Sequence, residues 1–268
     1  MRSISLFLFL FLTSCATIKI KDYSNDYTQE VVGKIKSMDI KKYEYKFIKN
    51  DTVNLVKTTI VYFDINQNVI SEKILTDNGT KETNFKYNNG LILEKEVISA
   101  NDTAVTTLKY DKQNNIIEEK STDRNGLFNT TTQTFDKHHN PITIKKNFAN
   151  KIKHSIYNEY DYKNKFLISK NIMDTILQKE VVMKRYFDKN GYILKSENMN
   201  AKASSKYYTH EIDKKGNLVS KIFHDADGTI IETVTFKNTY DNVGNIKIRE
   251  RFLNNKLIDK TVYINTYY

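Results

Sequence analysis

The chain has 268 residues, with 42 Lys and Arg against 32 Asp and Glu, a formal net charge of +10 and a hydrophobic fraction of 39%. That length suits one large domain or two ordinary ones, and a single cysteine excludes a disulfide framework. The basic residues are spread along every segment without a Lys/Arg-rich block, so no nucleic acid is expected as a partner. The charge reads instead as a solvated face, with attraction to anionic glycans or lipids as the weaker implication.

The first element is MRSISLFLFLFLTSC. Arg2 gives a basic start, and the apolar run from Ile4 to Leu12 is too short for a transmembrane helix, which needs roughly 20 residues. A short apolar core after a basic start is the pattern of a secretory signal. Leu12-Thr13-Ser14-Cys15 resembles the bacterial lipobox, with Ser14 where Gly or Ala is usual. The resemblance implies cleavage between Ser14 and Cys15 and acylation of Cys15. Residues 1–14 are thus expected to be a signal peptide, and Cys15 a lipid anchor that places the protein in the cell envelope, at the outer membrane. Several acyl chains at roughly 0.8 kcal/mol per buried methylene make such an anchor stable.

Residues 15–41 read as a tether, in which SNDYTQEVVGKIKSM could form a turn or two of helix with Ser24 as cap and Tyr27, Val31 and Ile35 aligned. From residue 42 onward the chain repeats. The residues preceding each motif Asp or Asn are Phe63, Tyr87, Tyr110, Phe135, Tyr160, Phe187, Ile212 and Tyr240, at intervals of 23 to 28 residues. A fixed period of that size marks a repeat architecture. The motif is a hairpin tip. Asp opens a type I turn and bonds the backbone ahead of it, and Gly or Asn three residues later takes the left-handed conformation. Asp188 with Gly191, Asp213 with Gly216 and Asp241 with Gly244 fit in full, and Asp111 fits with Asn114 in the glycine position.

A second series of turn signals lies between these tips, at TDNGT (76), TDRNG (122) and DADGT (225). Each period therefore holds two strands, and the intervening stretches are rich in Thr, Val, Ile and aromatics, which favour strands. The expected fold is all-β: a long antiparallel meander of about 16–18 strands over residues 42–268. Twisted sheets of that width curl or split, so an open or rolled β-strip is expected, with its apolar side chains on the concave face.

YDKQNNI, FDKNGYI, IDKKGNL and YDNVGNI resemble the YD repeats of the Rhs family, over about 190 residues. The resemblance implies a β-strip that spirals into a shell. This chain is far shorter than such shells, carries no further module after its last repeat and has a longer period, so only the β-strip is carried over.

No catalytic constellation stands out. The five histidines are not at metal-ligand spacings, and the calcium-loop pattern around DADGTIIE fails because its first and twelfth positions fall on Phe223 and Val234. No metal and no cofactor are expected. Glu94, Glu96, Glu118 and Glu119 lie among lysines as solvated cross-strand pairs would. One member each of Tyr207-Tyr208 and Tyr267-Tyr268 should face outward. The expectation is a non-catalytic binding or scaffold lipoprotein for an envelope polysaccharide or a protein partner. A lipid-anchored hydrolase of a cell-wall or extracellular polymer is the alternative.

Overall fold

The computed structural model describes residues 18–21, 32–46, 52–100, 102–126, 128–148, 151–173, 179–200 and 206–268. Cys15, Ser14 and residues 24–31 of the helical reading lie outside them; the rest of that reading is corrected, because Gly33 takes positive φ and Ile35 to Met38 are strand, not helix. Eighteen strands follow one another: β1 (Ile35–Lys46), β2 (Thr52–Phe63), β3 (Val69–Thr76), β4 (Gly79–Asn88), β5 (Leu91–Ser99), β6 (Thr103–Tyr110), β7 (Ile116–Asp123), β8 (Phe128–Phe135) and β9 (Pro141–Phe148). The second half comprises β10 (Lys151–Asp161), β11 (Phe166–Met173), β12 (Lys179–Phe187), β13 (Ile193–Asn198), β14 (Tyr207–Ile212), β15 (Leu218–His224), β16 (Ile230–Tyr240), β17 (Ile246–Leu253) and β18 (Lys256–Tyr267). β1 starts inside the stretch read as tether.

Each strand pairs antiparallel with the next, and β1 pairs with both β2 and β18. The sheet is therefore a closed ring, a β-barrel, and not an open or rolled strip. Closure removes both exposed edges of the meander. The seam runs from Ile35 opposite Tyr267 to Glu44 opposite Asp259. Following the Cα partners once around the ring displaces the path along β1 by about 20 residues. With neighbouring strands ~4.8 Å apart, that shear tilts the strands by roughly 40° and sets the ring roughly 35 Å across between backbones.

Among the described strands, only ring neighbours bring their Cα atoms within 8 Å of each other. Among the described residues ten apolar side chains are buried, among them Leu108, Leu167, Phe187, Ile193 and Ile246 on the inner face, alongside twelve polar ones spread over the inner face, the motif rim and, at Ser155 and Ser220, the outer face. The largest apolar cluster lies at the seam, where Ile35, Met38, Ile246 and Tyr263 pack with Ile40, Val61 and Phe63.

Alternation assigns the opposite face to the outside. On β4 to β7 that face carries Glu82, Lys86, Glu94, Glu96, Lys109 and Glu118, with Lys86–Glu94 and Lys109–Glu118 paired at 2.6 Å each. A strand barrel that spans a bilayer needs an outward apolar band ~25 Å tall, and the exterior of β4 to β7 is its opposite. Among the described residues no helix is long and apolar enough to cross a membrane either.

Candidate functional site

All the motif tips lie on one rim. Gly191 N–H donates to Asp188 O (3.1 Å), Gly216 N–H to Asp213 O (3.0 Å), Gly244 N–H to Asp241 O (3.1 Å) and Asn114 N–H to Asp111 O (3.1 Å). These four residues have φ of 82°, 84°, 104° and 65°. Each aspartate closes its turn by accepting backbone N–H groups two and four residues ahead, as Asp111 does from Gln113 and Asn115, and Asp188 from Asn190 and Tyr192. The structure thus places Asp111, Asp188, Asp213 and Asp241 together on this rim, as turn formers.

The rim carries a second layer of contacts that the motif did not announce. Tyr267 Oη donates to Asp241 Oδ2 (2.6 Å), and Asn245 Nδ2 donates to the same hydroxyl (2.9 Å). Tyr240 repeats this with Asp213 (3.0 Å) and Asn217 (3.1 Å), and Tyr162 with Asp136 and Asn140. An Asp, the Asn four residues on, and a Tyr 26 or 27 residues after the Asp therefore latch one repeat to the next. Other tyrosines before the motif Asp or Asn also reach back to the preceding repeat, but to a backbone carbonyl. Tyr87 Oη donates to Val69 O (2.8 Å), Tyr110 Oη to Ile92 O (2.7 Å) and Tyr160 Oη to Pro141 O (3.0 Å). Burial pushes the Tyr162 and Tyr240 hydroxyls up, and their bonds to Asp136 and Asp213 add to the shift. Burial alone would raise Asp241, but the Tyr267 hydroxyl, the Asn265 amide and turn N–H groups outweigh it and hold the carboxyl down to about 2.

The same rim grips the N-terminal segment. Asn140, 1% exposed, donates to Ile18 O (2.7 Å) and accepts from Ile20 N–H (2.8 Å). Asn245, 0% exposed, donates to Val32 O (2.8 Å) and accepts from Val32 N–H (2.7 Å). Gln67 treats Ile35 in the same way. Lys21 N–H donates to Gly191 O (2.8 Å), and Lys21 Nζ lies 3.0 Å from Tyr192 Oη and 4.3 Å from the ring centroid. The segment read as a tether is thus bound to four different turns. A cavity of about 1080 Å³ opens between it and the tips of β12–β13, β14–β15 and β16–β17, lined by Lys21, Lys189, Tyr192, Lys214, Lys215 and Tyr240 among others. Lys215 Nζ lies 3.7 Å from the Tyr240 ring centroid.

A second arrangement lies on the outer wall across β11–β15. Phe166 faces Tyr186, which faces Lys195, and one row along, Lys184 faces Glu197, which faces Tyr207, which faces His224. Lys184 sits 4.3 Å over Phe166, and Lys195 sits 4.5 Å over Tyr207 and 5.7 Å over Tyr186. Tyr207 stacks on His224 at 4.5 Å and 12°. Tyr186 Oη and Lys195 Nζ both reach Glu197, at 2.9 and 2.7 Å, and those two groups hold its carboxyl below the ordinary range. All these side chains are half-exposed, so a ladder of aromatic faces and ammonium groups steps across the strands at ~4.8 Å per strand. Tyr207 is the outward member of its pair, and Tyr208 lies on the inner wall against Phe223. In the C-terminal pair, Tyr268 is the exposed member and Tyr267 the rim latch.

Among the described residues no group of three metal-ligating side chains comes together. Asp225 and Asp227 form a hairpin turn whose N–H donors come from Asp227 and Thr229.

No family model matches the chain, and no curated protein does. Solved structures similar to it include a porin-like protein from Bacteroides uniformis, at 10% identity and a TM-score of 0.49, covering 88% of this chain and 99% of that one. A porin-like protein from Bacteroides vulgatus matches at 8% identity and a TM-score of 0.30, over 85% of this chain and 97% of that one. The Photorhabdus luminescens Tc holotoxin pore matches at 9% identity and a TM-score of 0.37, over 76% of this chain and 13% of that one. All three scores fall below 0.5, and ring closure rests on the strand pairings themselves.

Proposed function

We propose that the chain is a lipid-anchored, non-catalytic binding module of the cell envelope, held at the outer membrane through Cys15. Its ligand is an extended envelope polysaccharide, acidic or neutral, lying along the outer-wall ladder. The observation that carries this reading is the ladder itself: the half-exposed edges of Phe166, Tyr186 and Tyr207 offer apolar surface to sugars, while Lys184, and Lys195 beside Glu197, offer ammonium donors between them. Repetition across five strands suits a polymer bound at several weak points, whose contacts combine as avidity. The rim carboxylates support a binding role as well, because Asp188, Asp213 and Asp241 are occupied by turn N–H groups.

Binding of the purified protein to a panel of anionic and neutral bacterial polysaccharides tests the reading. Weak, salt-sensitive binding is expected, reduced several-fold by Tyr186→Ala or Tyr207→Ala and more by both together. Turnover abolished by one carboxylate substitution would replace the reading with the hydrolase. A stoichiometric protein partner without glycan binding would discard the sugar.

A further inference from the structure

We propose that the rim of motif turns is a membrane-docking surface: the barrel stands on this rim against an anionic bilayer, with its opposite rim facing away. The distance argument rests on the lipid-anchor reading of Cys15. Cys15 lies three residues before Ile18, whose carbonyl is held by Asn140 at the β8–β9 turn. Three extended residues reach at most ~10 Å. The wall is roughly 20–25 Å tall, from tilted strands of mostly eight or more residues. An acyl group on Cys15 therefore reaches the headgroups only if the motif rim, and not the opposite one, lies next to them.

The charges point the same way without reference to the anchor. The tips on the motif rim present Lys112, Lys137, Lys163, Lys189, Lys214 and Lys215, all exposed. Each of those tips also carries its motif aspartate, and the β2–β3 and β16–β17 tips carry Asp64 and Asp241 without a lysine, so with Lys165 the charges of the tips balance; the positive excess on this rim comes from Lys19, Lys21 and Lys34 of the segment clamped to it. Among the described residues, the tips on the opposite rim carry Asp77, Asp102, Asp225 and Asp227 against Arg124, 3.7 Å from Asp102, and Lys206, so acidic groups outnumber basic ones there. Attraction to an anionic surface falls off within a Debye length of roughly 8–10 Å, so lysines at the tips feel it and the far rim does not. The outer-wall ladder stands on the side of the barrel and stays open to solvent in this orientation.

The test uses the acylated protein, in which Cys15 is the one native cysteine. A fluorophore is placed through Lys214→Cys or Asp77→Cys, and each protein is reconstituted in phosphatidylcholine vesicles containing phosphatidylglycerol and a headgroup-linked nitroxide quencher. The label at 214 is expected to be quenched at least threefold more than the label at 77. Replacing Lys112, Lys137 and Lys189 by Gln, in a chain shown to keep its circular dichroism and urea midpoint, is expected to at least halve that difference. The mass of the N-terminal peptide reads acylation separately. An acylated chain with equal or reversed quenching overturns the docking and leaves the anchor standing; an unacylated chain overturns both.

Discussion

Replacing Asn245 by Ala removes one of the two buried amides that clamp the N-terminal segment to the rim. The side chain is 0% exposed and makes three bonds, to Val32 O, from Val32 N–H and to Tyr267 Oη, at 2.7 to 2.9 Å. A buried group left without its partner costs about 1–3 kcal/mol. Val32 is 48% exposed, so water can replace its share, whereas the Tyr267–Asp241 pair loses its donor behind the segment. A loss of about 2 kcal/mol follows, which for a protein of this size lowers Tm by roughly 4–8 °C. Asn190→Ala is the control, because that amide is exposed and reaches Asp188 only at 3.5 Å; it should shift Tm by less than about 1–2 °C. Thermal unfolding by circular dichroism measures the shift, and hydrogen exchange at the Val32 amide reads the clamp directly. Equal Tm losses in the two variants, or unchanged protection of Val32, would refute the clamp.

Further outcomes follow from the same geometry. Gly191→Ala and Gly90→Ala both place a side chain at positive φ (82° and 78°), but the new Cβ at 191 would stand 2.0 Å from Lys19 O while that at 90 meets nothing within 4 Å; urea denaturation should show Gly191→Ala the costlier by at least about 1 kcal/mol. Tyr110→Phe deletes the 2.7 Å bond to Ile92 O and should cost about 1 kcal/mol, against no measurable change for Tyr157→Phe on the outer wall. Asp241 is held down to about 2, so the folded state binds fewer protons than the unfolded chain between pH 4 and 2; stability should be present above pH 4 and fall as the pH drops through that window, and Asp241→Asn should flatten the fall. Cys15→Ala should release the protein from membranes in fractionation, and an unchanged membrane fraction would sink the anchor.

The meander was legible because its period is written in turn chemistry. Eight motif tips flank sixteen strands, β2 to β17; seven open on an Asp, the β4–β5 tip is Asn88-Asn89-Gly90, and every tip has a residue at positive φ. Closure was not legible. It depends on β1 and β18, which lie outside the repeats, and on their pairing across the whole length of the chain. Lys and Asp alternate with Ile and Tyr in β1 as in any edge strand, so local pattern cannot say whether the last strand returns to the first. The N-terminal clamp was hidden for a related reason. Asn140 and Asn245 stand at the same motif position as Asn115 and Asn217, and only the path of residues 18–21 and 32–34 decides which of them hold backbone. The outer-wall ladder was half legible: the Tyr207-Tyr208 pair had to split between the faces, but the alignment of Phe166, Tyr186 and Lys195 depends on register.

The motif's pairing of an aromatic with an aspartate also helps to hold a wide ring together. A strand pair alone is marginal in water, and among the described residues the buried side chains are as often polar as apolar. The aspartate spends its oxygens on its own turn, which fixes the hairpin. The tyrosine beside it spends its hydroxyl on the preceding repeat, which fixes the angle between hairpins. Where the aromatic is Phe63, which has no hydroxyl, its carbonyl instead accepts from Tyr268 Oη at 2.6 Å across the seam. At the repeats that carry a tyrosine, contacts along the rim thus add to the strand ladder and the seam cluster in holding the hairpin at its place in the circle. These rim contacts leave the outer wall free to carry a ligand.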